Sequence, residues 1–200
     1  MSAAIELPKE KRGAPTTPAI PTTYANVLFR SRLEARWAAM FDLMMWPWDY
    51  EPIDLEFYIP DFILRFPSEP VLCEVKPALY ADDLWPHSKK IVKSGWDGQF
   101  LIVGGALLRS GSGQTTFGIT SERIGESVGI FDHAVCHRCA ACGRISYHHE
   151  SGGWGCPVGG CESDESLILP VGDPEIRNLW NAAGTRVQWR PNRDNLGERR

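Results

Sequence analysis

The 200-residue sequence contains no apolar run close to the roughly 20 residues that a membrane-spanning helix requires. Its first 23 residues are rich in Pro, Thr and Ala, and they contain no apolar core of the signal-peptide type. We therefore expect a cytoplasmic protein that begins with a flexible lead at residues 1–23.

Several catalytic signatures are also missing. There is no P-loop, no dinucleotide-binding glycine fingerprint, no G-x-S-x-G element and no internal repeat. The net charge of −4 argues weakly against a protein that coats nucleic acid non-specifically, but it allows an enzyme with a local basic patch. The composition, 43% hydrophobic and 23% charged, is globular, and 200 residues fit one domain with or without a small appendage.

Cysteine is scarce outside one segment, because five of the six cysteines lie between residues 136 and 161. In a reducing compartment such crowding favours a metal site over disulfides. Two close pairs, separated by a 13-residue hairpin-like spacer, fit tetrahedral Zn²⁺, and four thiolates would leave no open position on a structural ion. The ligands that this spacing predicts are Cys139, Cys142, Cys156 and Cys161.

This ligand set has alternatives. Cys136 precedes Cys139 at an equally suitable spacing, and His137 could also be a ligand. We assign residues 136–170 to a small zinc ribbon inserted into the domain. Because the segment is not basic, a role in bracing the fold or docking a protein is at least as well supported as contact with DNA.

Residues 24–135 carry the pattern of a compact α/β core. Apolar residues at helical spacing predict an amphipathic helix from Ser31, and alternating or continuous apolar runs predict strands. The predicted order is α-β-β-β-α-β, formed by SRLEARWAAMFDLM, WDYEP, IDLEFYIPDFILRF, VLCEVK, DDLWPHSKKIVKS and QFLIVGGAL. Residues 110–135 then predict a loop and one or two further short strands.

The C-terminal part predicts one more helix. Asp173 is its expected N-cap, Pro174 its first residue and Gly184 the residue that follows its end. We expect residues 171–190 to form this helix and a strand that pack on the core, and residues 191–200 to form a frayed tail.

Three charged side chains interrupt the apolar strand segments. Asp61 lies in IDLEFYIPDFILRF, whereas Glu74 and Lys76 lie in VLCEVK and share one face of it, opposite Cys73. If the two strands pair, Asp61 lies near Glu74, and two buried carboxylates repel each other unless a cation neutralises them. Oxygen ligands of this kind suit Mg²⁺ or Mn²⁺, beside which a lysine can orient or deprotonate a water. Taken alone, Glu-x-Lys in a strand is more often an ion pair or a solvated polar face.

Pro60-Asp61 and Glu74-Val75-Lys76, within this order of elements, resemble the PD-(D/E)xK nuclease superfamily. The resemblance covers roughly residues 28–106 and implies a restriction-endonuclease-like fold. It implies that Asp61, Glu74 and the Val75 carbonyl bind a catalytic Mg²⁺ or Mn²⁺, and that Lys76 positions the attacking water. The style of the motif is similar to that of transposon end-cleaving endonucleases and of phage and other mobile-element nucleases.

Glu34 stands where many members of that superfamily add a first-helix glutamate to the metal. Its other interpretation is structural, because Ser31-x-x-Glu34 is also a capping box for the helix.

Basic side chains near these motifs are candidates for contact with a nucleic-acid backbone. An ordinary solvated helix face explains them equally well. The candidates are Arg30, Arg32, Lys89, Lys90 and Lys93.

The function expected from the sequence is metal-dependent hydrolysis of phosphodiester bonds in DNA. The alternative is a non-catalytic zinc-ribbon adaptor that binds DNA or protein, or a subunit of a transposase or phage complex that needs a protein partner.

Overall fold

The structure is a computed structural model that describes residues 19–124, 127–152, 156–161 and 168–188, without the side chains of residues 122–131. The predicted lead up to residue 18 and the predicted tail at 191–200 lie outside the described residues. Among the described residues, no helix is long and apolar enough to cross a membrane.

Ten strands and three α-helices make up the described fold. In chain order they are β1 (Thr22–Tyr24), β2 (Val27–Phe29), α1 (Arg32–Leu43), β3 (Trp48–Tyr50), β4 (Phe62–Arg65), β5 (Pro70–Val75), α2 (Trp85–Lys93), β6 (Phe100–Arg109), β7 (Thr115–Ile124), β8 (Ser127–Cys139), β9 (Ile145–His149), β10 (Ile168–Pro170) and α3 (Asp173–Arg186). A 3-10 turn, Ala81–Leu84, leads into α2.

Eight strands form one large mixed sheet in the order β10-β8-β7-β6-β5-β4-β3, with β9 paired to β8. Only β5 and β6 run parallel, and the other pairs in this sheet are antiparallel. The connection between the parallel pair contains α2, as a parallel crossover requires. The predicted order of helices and strands is therefore present from α1 to β6.

The two faces of the sheet are covered by different helices. Alternate residues of β5 and β6, such as Val71 and Leu101, join the core that contains α1 and α3. Leu72 and Ile102 point the other way and pack with Ile91 of α2. The sheet is thus buried on both sides at its centre, which explains why QFLIVGGAL is apolar without alternation.

Two buried tryptophans, one in α1 and one in the segment that follows it, donate hydrogen bonds to distant strands. The Trp37 indole N–H donates to the Gly104 carbonyl at 2.8 Å, and the Trp46 indole N–H donates to the Ile145 carbonyl at 2.9 Å. Trp46 also packs on Tyr147 with ring centroids 5.8 Å apart. The strand that follows the first cysteine pair is therefore packed into the main core, and β8 runs across the predicted boundary at residue 135.

The long strand expected in IDLEFYIPDFILRF is shorter than predicted. Only Phe62–Arg65 forms a strand, because the chain before it folds into a tight turn. Leu55 and Tyr58 exchange two backbone hydrogen bonds of 2.9 and 3.1 Å, and Phe57 within this turn has a left-handed backbone with φ of 56°. The sequence does not reveal this turn, because residues 55–58 contain no glycine or asparagine, the residues that usually mark a left-handed turn position.

Residues 110–135 form longer strands than the sequence suggested. They carry most of β7 and β8, of 10 and 13 residues, which pair along their length with two irregularities in register. Gly118 lies at one of these irregularities, and Gly111 and Gly113 precede β7.

Three predicted positions in the C-terminal helix were wrong, because α3 begins at Asp173, so that Pro174 is its second residue. Its N-cap is Gly172, and the side chain of Asp173 instead accepts hydrogen bonds from Thr115 and Arg109. Gly184 lies inside the helix, where a Cβ would meet the Arg36 guanidinium at 3.1 Å. Arg36 needs this space because it donates to the Trp180 carbonyl and so joins α1 to α3.

Gly118 tests the packing of β6 against β7. A Cβ at this position would lie 1.9 Å from the Ile102 carbonyl oxygen, so Gly118→Ala forces the two strands apart. We expect a loss of about 3 kcal/mol in the free energy of unfolding, measured by urea denaturation. Gly111→Ala is the matched control, because no atom lies within 4 Å of its Cβ position. Equal stabilities for the two variants would contradict this account.

Candidate active site and metal centre

The pairing of β4 with β5 brings Asp61 and Glu74 together. The two strands are antiparallel with Phe62 opposite Cys73, so the preceding Asp61 stands opposite Glu74. The Asp61 backbone N–H points at Glu74 Oε2 at 3.4 Å. The predicted pairing, on which the candidate site depends, is confirmed.

Lys76 lies on the same side as Glu74, as the alternation of side chains predicted. Its ammonium forms an ion pair with Glu74 Oε1, and its backbone N–H donates to the Val103 carbonyl at 2.9 Å. Cys73 points to the opposite side and is fully buried in the core. At its C-terminal end β5 therefore carries the charged side chains on one face and apolar core residues on the other.

Burial places the two carboxylates under electrostatic strain. Asp61 is 4% exposed and Glu74 is 6% exposed. Burial, followed by the charge of Glu74, raises the pKa of Asp61 to about 7, and the charge of Glu34 adds to the rise. The Val75 N–H, which donates to Asp61 Oδ2 at 2.8 Å, and the Lys76 ammonium act in the opposite direction.

Glu34 is held at the start of α1 by a serine and a tyrosine. Ser31 is the N-cap of α1, and its hydroxyl accepts from the Glu34 N–H at 3.1 Å and donates to Glu34 Oε1 at 2.7 Å. Ser31 therefore caps the helix as predicted, and the Glu34 side chain binds the capping hydroxyl. Glu34 Oε2 is held separately, by the Tyr50 hydroxyl at 2.6 Å. The charge of Glu34 also contributes to the raised pKa of Asp61.

Two tyrosines that the sequence did not single out hold the carboxylates. Tyr58 donates to Glu74 Oε2 at 2.6 Å, and Tyr50 donates to Glu34. Burial, with the hydrogen bond to Glu34, raises the pKa of Tyr50 to about 12, so its phenol remains a donor. No sequence signal marks these tyrosines, because one sits in an unpredicted turn and the other in a three-residue strand.

Arg30 is close to the carboxylates. It was predicted to contact nucleic acid, and in this structure its guanidinium binds Asp61 Oδ1 at 2.8 Å and Glu51 Oε1 at 2.7 Å. The arginine thus places a positive charge beside Asp61, the carboxylate whose pKa is raised. More than half of its side chain is exposed, which leaves room for movement towards a phosphate.

The other predicted basic residues are exposed, and their contact with nucleic acid stays a prediction. Arg32 is at the start of α1, and the three lysines lie on α2. His87, also on α2, is half-buried, and its pKa is lowered by burial and then by the charge of Lys76. This end of α2 therefore faces the site. The lysines are Lys89, Lys90 and Lys93.

The donor set fits a hard divalent cation. Glu34, Asp61 and Glu74 offer only oxygen atoms, which Mg²⁺ and Mn²⁺ prefer. Their ligand oxygens do not all lie within 4.8 Å of one another, so a shared ion would require the side chains to move. Bringing these anions together without a cation is unfavourable, as the raised pKa of Asp61 shows. A bound cation would remove that penalty and displace the guanidinium of Arg30 from Asp61.

The four predicted cysteines form one cluster. The Sγ atoms of Cys139, Cys142, Cys156 and Cys161 all lie within 4.8 Å of one another, a spacing that could hold a metal ion such as zinc. Burial and neighbouring thiols raise the pKa of Cys156 to about 11, and of Cys161 to about 12. A thiolate-binding metal would relieve this crowding.

Glycines shape the turns that present the cysteines. The Gly143 N–H donates to the Cys139 carbonyl at 2.8 Å with a positive φ of 70°, which favours glycine there. Gly159 donates its N–H to Cys156 Sγ at 3.3 Å. A Cβ on Gly159 would lie 2.7 Å from Cys142 Sγ, so only glycine fits between the sulfurs.

The two alternative ligands lie elsewhere. Cys136 is packed in the hydrophobic core and is not part of the cluster. His137 is buried, with its Nδ1 3.2 Å from Nδ1 of His148. Burial, and then the charge of His148, lower the pKa of His137 to about 4. The cluster therefore consists of the four cysteines chosen by spacing.

The cysteine cluster touches the turn that joins β4 to β5. The Ser68 hydroxyl donates to the Pro157 carbonyl at 3.1 Å, between the second pair of cysteines. This turn lies at the opposite end of the strand pair from Asp61 and Glu74. The cluster thus supports the hairpin whose register sets the two carboxylates opposite each other.

No protein-family model, curated protein or solved structure gives a match to this chain. The geometry of the site is therefore the basis on which a function is argued.

Metal content tests the cysteine cluster. We expect the purified protein to hold at least one zinc ion per chain by elemental analysis, and Cys142→Ser to hold one fewer because three thiolates bind zinc more weakly. Cys136→Ala is the matched control and should keep the ion. Loss of zinc from Cys136→Ala with retention in Cys142→Ser would show that the ligand set is wrong.

Proposed function

We propose that the protein is a metal-dependent endonuclease that hydrolyses phosphodiester bonds in DNA. In this proposal the predicted restriction-endonuclease-like core of residues 24–135 continues past residue 135, because β8 crosses that boundary, and the cysteine cluster is a structural zinc ribbon. The observation that carries it is the convergence of Asp61, Glu74 and Lys76 at one end of β4 and β5, where the charge of Glu34 also acts on Asp61.

Asp61, Glu74 and Glu34 would hold a Mg²⁺ or Mn²⁺ ion, together with the Val75 carbonyl. When bound, such an ion neutralises the charge that develops on the scissile phosphate and lowers the pKa of a coordinated water. Tyr58 and Tyr50 would keep Glu74 and Glu34 in orientation through their 2.6 Å hydrogen bonds. These positions are fixed before substrate arrives, which reduces the reorganisation needed for the reaction.

Lys76 would orient the attacking water. In the absence of the ion its ammonium neutralises Glu74. With Glu74 holding a cation, the ammonium would be free to donate a hydrogen bond to the water or to a phosphate oxygen. Its backbone is fixed to β6 through the Val103 carbonyl, so the side chain starts from a defined position.

Arg30 would contact the substrate backbone. Its guanidinium binds both Asp61 and Glu51, so it could leave Asp61 to a cation and remain anchored by Glu51 at the edge of the site. A freed guanidinium beside the metal suits bidentate contact with a phosphate. This would explain why an arginine predicted to bind nucleic acid is found among carboxylates.

A non-catalytic adaptor is the less well supported alternative. Such a protein would gain nothing from placing two buried carboxylates opposite each other, since the arrangement raises the pKa of Asp61 and costs stability. A nuclease needs that arrangement to bind its cation.

Cleavage assays test the proposal. Supercoiled and single-stranded DNA are incubated with the wild type and Mg²⁺ or Mn²⁺, beside Asp61→Asn and Lys76→Ala. We expect the wild type to cut DNA only with metal, and each substitution to lower the rate by at least about a hundredfold, because each removes a group needed in the transition state. Asp97→Asn, an exposed aspartate outside the site, is the control and should cut normally.

Two results would overturn the proposal. One is an inactive wild type with folded, zinc-loaded protein on both substrates. The other is cleavage that survives both Asp61→Asn and Lys76→Ala.

A further inference from the structure

A second group of metal-ligating side chains lies where the middle of β8 meets the end of β9. Asp132 and His133 are in β8, and Glu150 directly follows β9, where its N–H donates to the His133 carbonyl at 3.2 Å. One ligand atom from each of these three residues lies within 4.8 Å of the other two. The group shares no residue with the candidate active site or the cysteine cluster.

The three donor atoms converge on one point. His133 Nδ1 lies 2.7 Å from Glu150 Oε2 and 3.6 Å from Asp132 Oδ1. The His133 backbone N–H also donates to that Asp132 oxygen at 2.7 Å, which fixes the carboxylate against the imidazole. An imidazole nitrogen and two carboxylate oxygens at these separations can contact a single ion after small shifts.

The second oxygen of each carboxylate is held from outside the group. Glu150 Oε1 accepts from the Ser110 hydroxyl at 2.6 Å and from the Ser112 N–H at 2.9 Å. Asp132 Oδ2 accepts from the Ser151 N–H at 2.6 Å. Outer hydrogen bonds of this kind orient the ligands of a metal site, and here they direct the inner oxygens towards His133.

The imidazole opens onto a cavity. His133 and Ser110 line a space of about 350 Å³, together with Tyr80 and Leu108. The Trp85 ring packs edge-on against the imidazole, with centroids 5.9 Å apart. A metal held by three protein ligands at the wall of this cavity would keep positions open for water or a small ligand.

We propose that Asp132, His133 and Glu150 form a further metal site, which binds a divalent transition ion such as Zn²⁺ or Co²⁺ through one nitrogen and two oxygens. The nitrogen donor distinguishes it from the all-oxygen site of Asp61 and Glu74, which suits Mg²⁺, and from the all-sulfur cluster. A simple ion pair between His133 and Glu150 would explain the shortest contact, but it would not need Asp132 at the same point.

Cobalt binding tests this site. The full-length protein is freed of metal, loaded with a single equivalent of zinc for the cysteines and kept in excess Mg²⁺ to occupy the carboxylates, and Co²⁺ alone is then added. We expect one further equivalent to bind, with visible absorption from the cobalt d electrons and without a sulfur-to-metal charge-transfer band. X-ray absorption of the wild type should show nitrogen and oxygen neighbours and an imidazole, and this reading does not depend on any variant.

Variants then locate the ion. His133→Gln and Glu150→Gln should each weaken cobalt binding at least about tenfold, the loss typical of removing a group that a metal site needs. His87→Gln is the matched control, because its imidazole lies beside the candidate active site, and it should bind cobalt normally. No cobalt uptake, sulfur neighbours, or uptake unchanged in folded His133→Gln would overturn the proposal. Each outcome is independent of whether the protein cuts DNA.

Discussion

Two buried carboxylates that face each other across one strand pair are the constraint on which this structure depends. Asp61 and Glu74 cannot both be charged there at low cost, and the surrounding groups answer that repulsion. Arg30 and Lys76 supply positive charge, while Tyr58 and the Val75 N–H supply hydrogen bonds. These positive charges and hydrogen bonds stabilise the two carboxylates as a bound cation would. The need for such a group of residues explains why charged side chains interrupt two apolar strands.

The rest of the fold holds this strand pair in register. Apolar residues of β5 pack against α1 on one side and against α2 on the other, so a one-residue slip would bury Glu74 in a core. The cysteine cluster contacts the turn at the opposite end of the pair through Ser68. The strands next to the cysteines, β8 and β9, belong to the same sheet as the β4–β5 hairpin. A metal at the cysteines would therefore stabilise that hairpin, which forms the candidate site.

Local patterns predicted much of this architecture from the sequence. Alternation along VLCEVK placed Glu74 and Lys76 on one side, and the spacing of Cys139, Cys142, Cys156 and Cys161 defined their cluster. Features set by tertiary contacts could not be predicted. The sequence predicted that the helix ends before Gly184, whereas this glycine lies inside α3 and makes room for the Arg36 guanidinium. The contact of His133 with Glu150 depends on the pairing of β8 with β9. Tyr58 reaches Glu74 only because of a turn without glycine.

The central claim is that Asp61, Glu74 and Glu34 share one divalent cation. The most direct measurement is an anomalous difference map from crystals of the protein soaked in Mn²⁺. We predict a manganese peak between Asp61 and Glu74, within reach of Glu34, with the Arg30 guanidinium displaced from Asp61. A map with no peak at these carboxylates, and with Arg30 still bound to Asp61, would contradict the account.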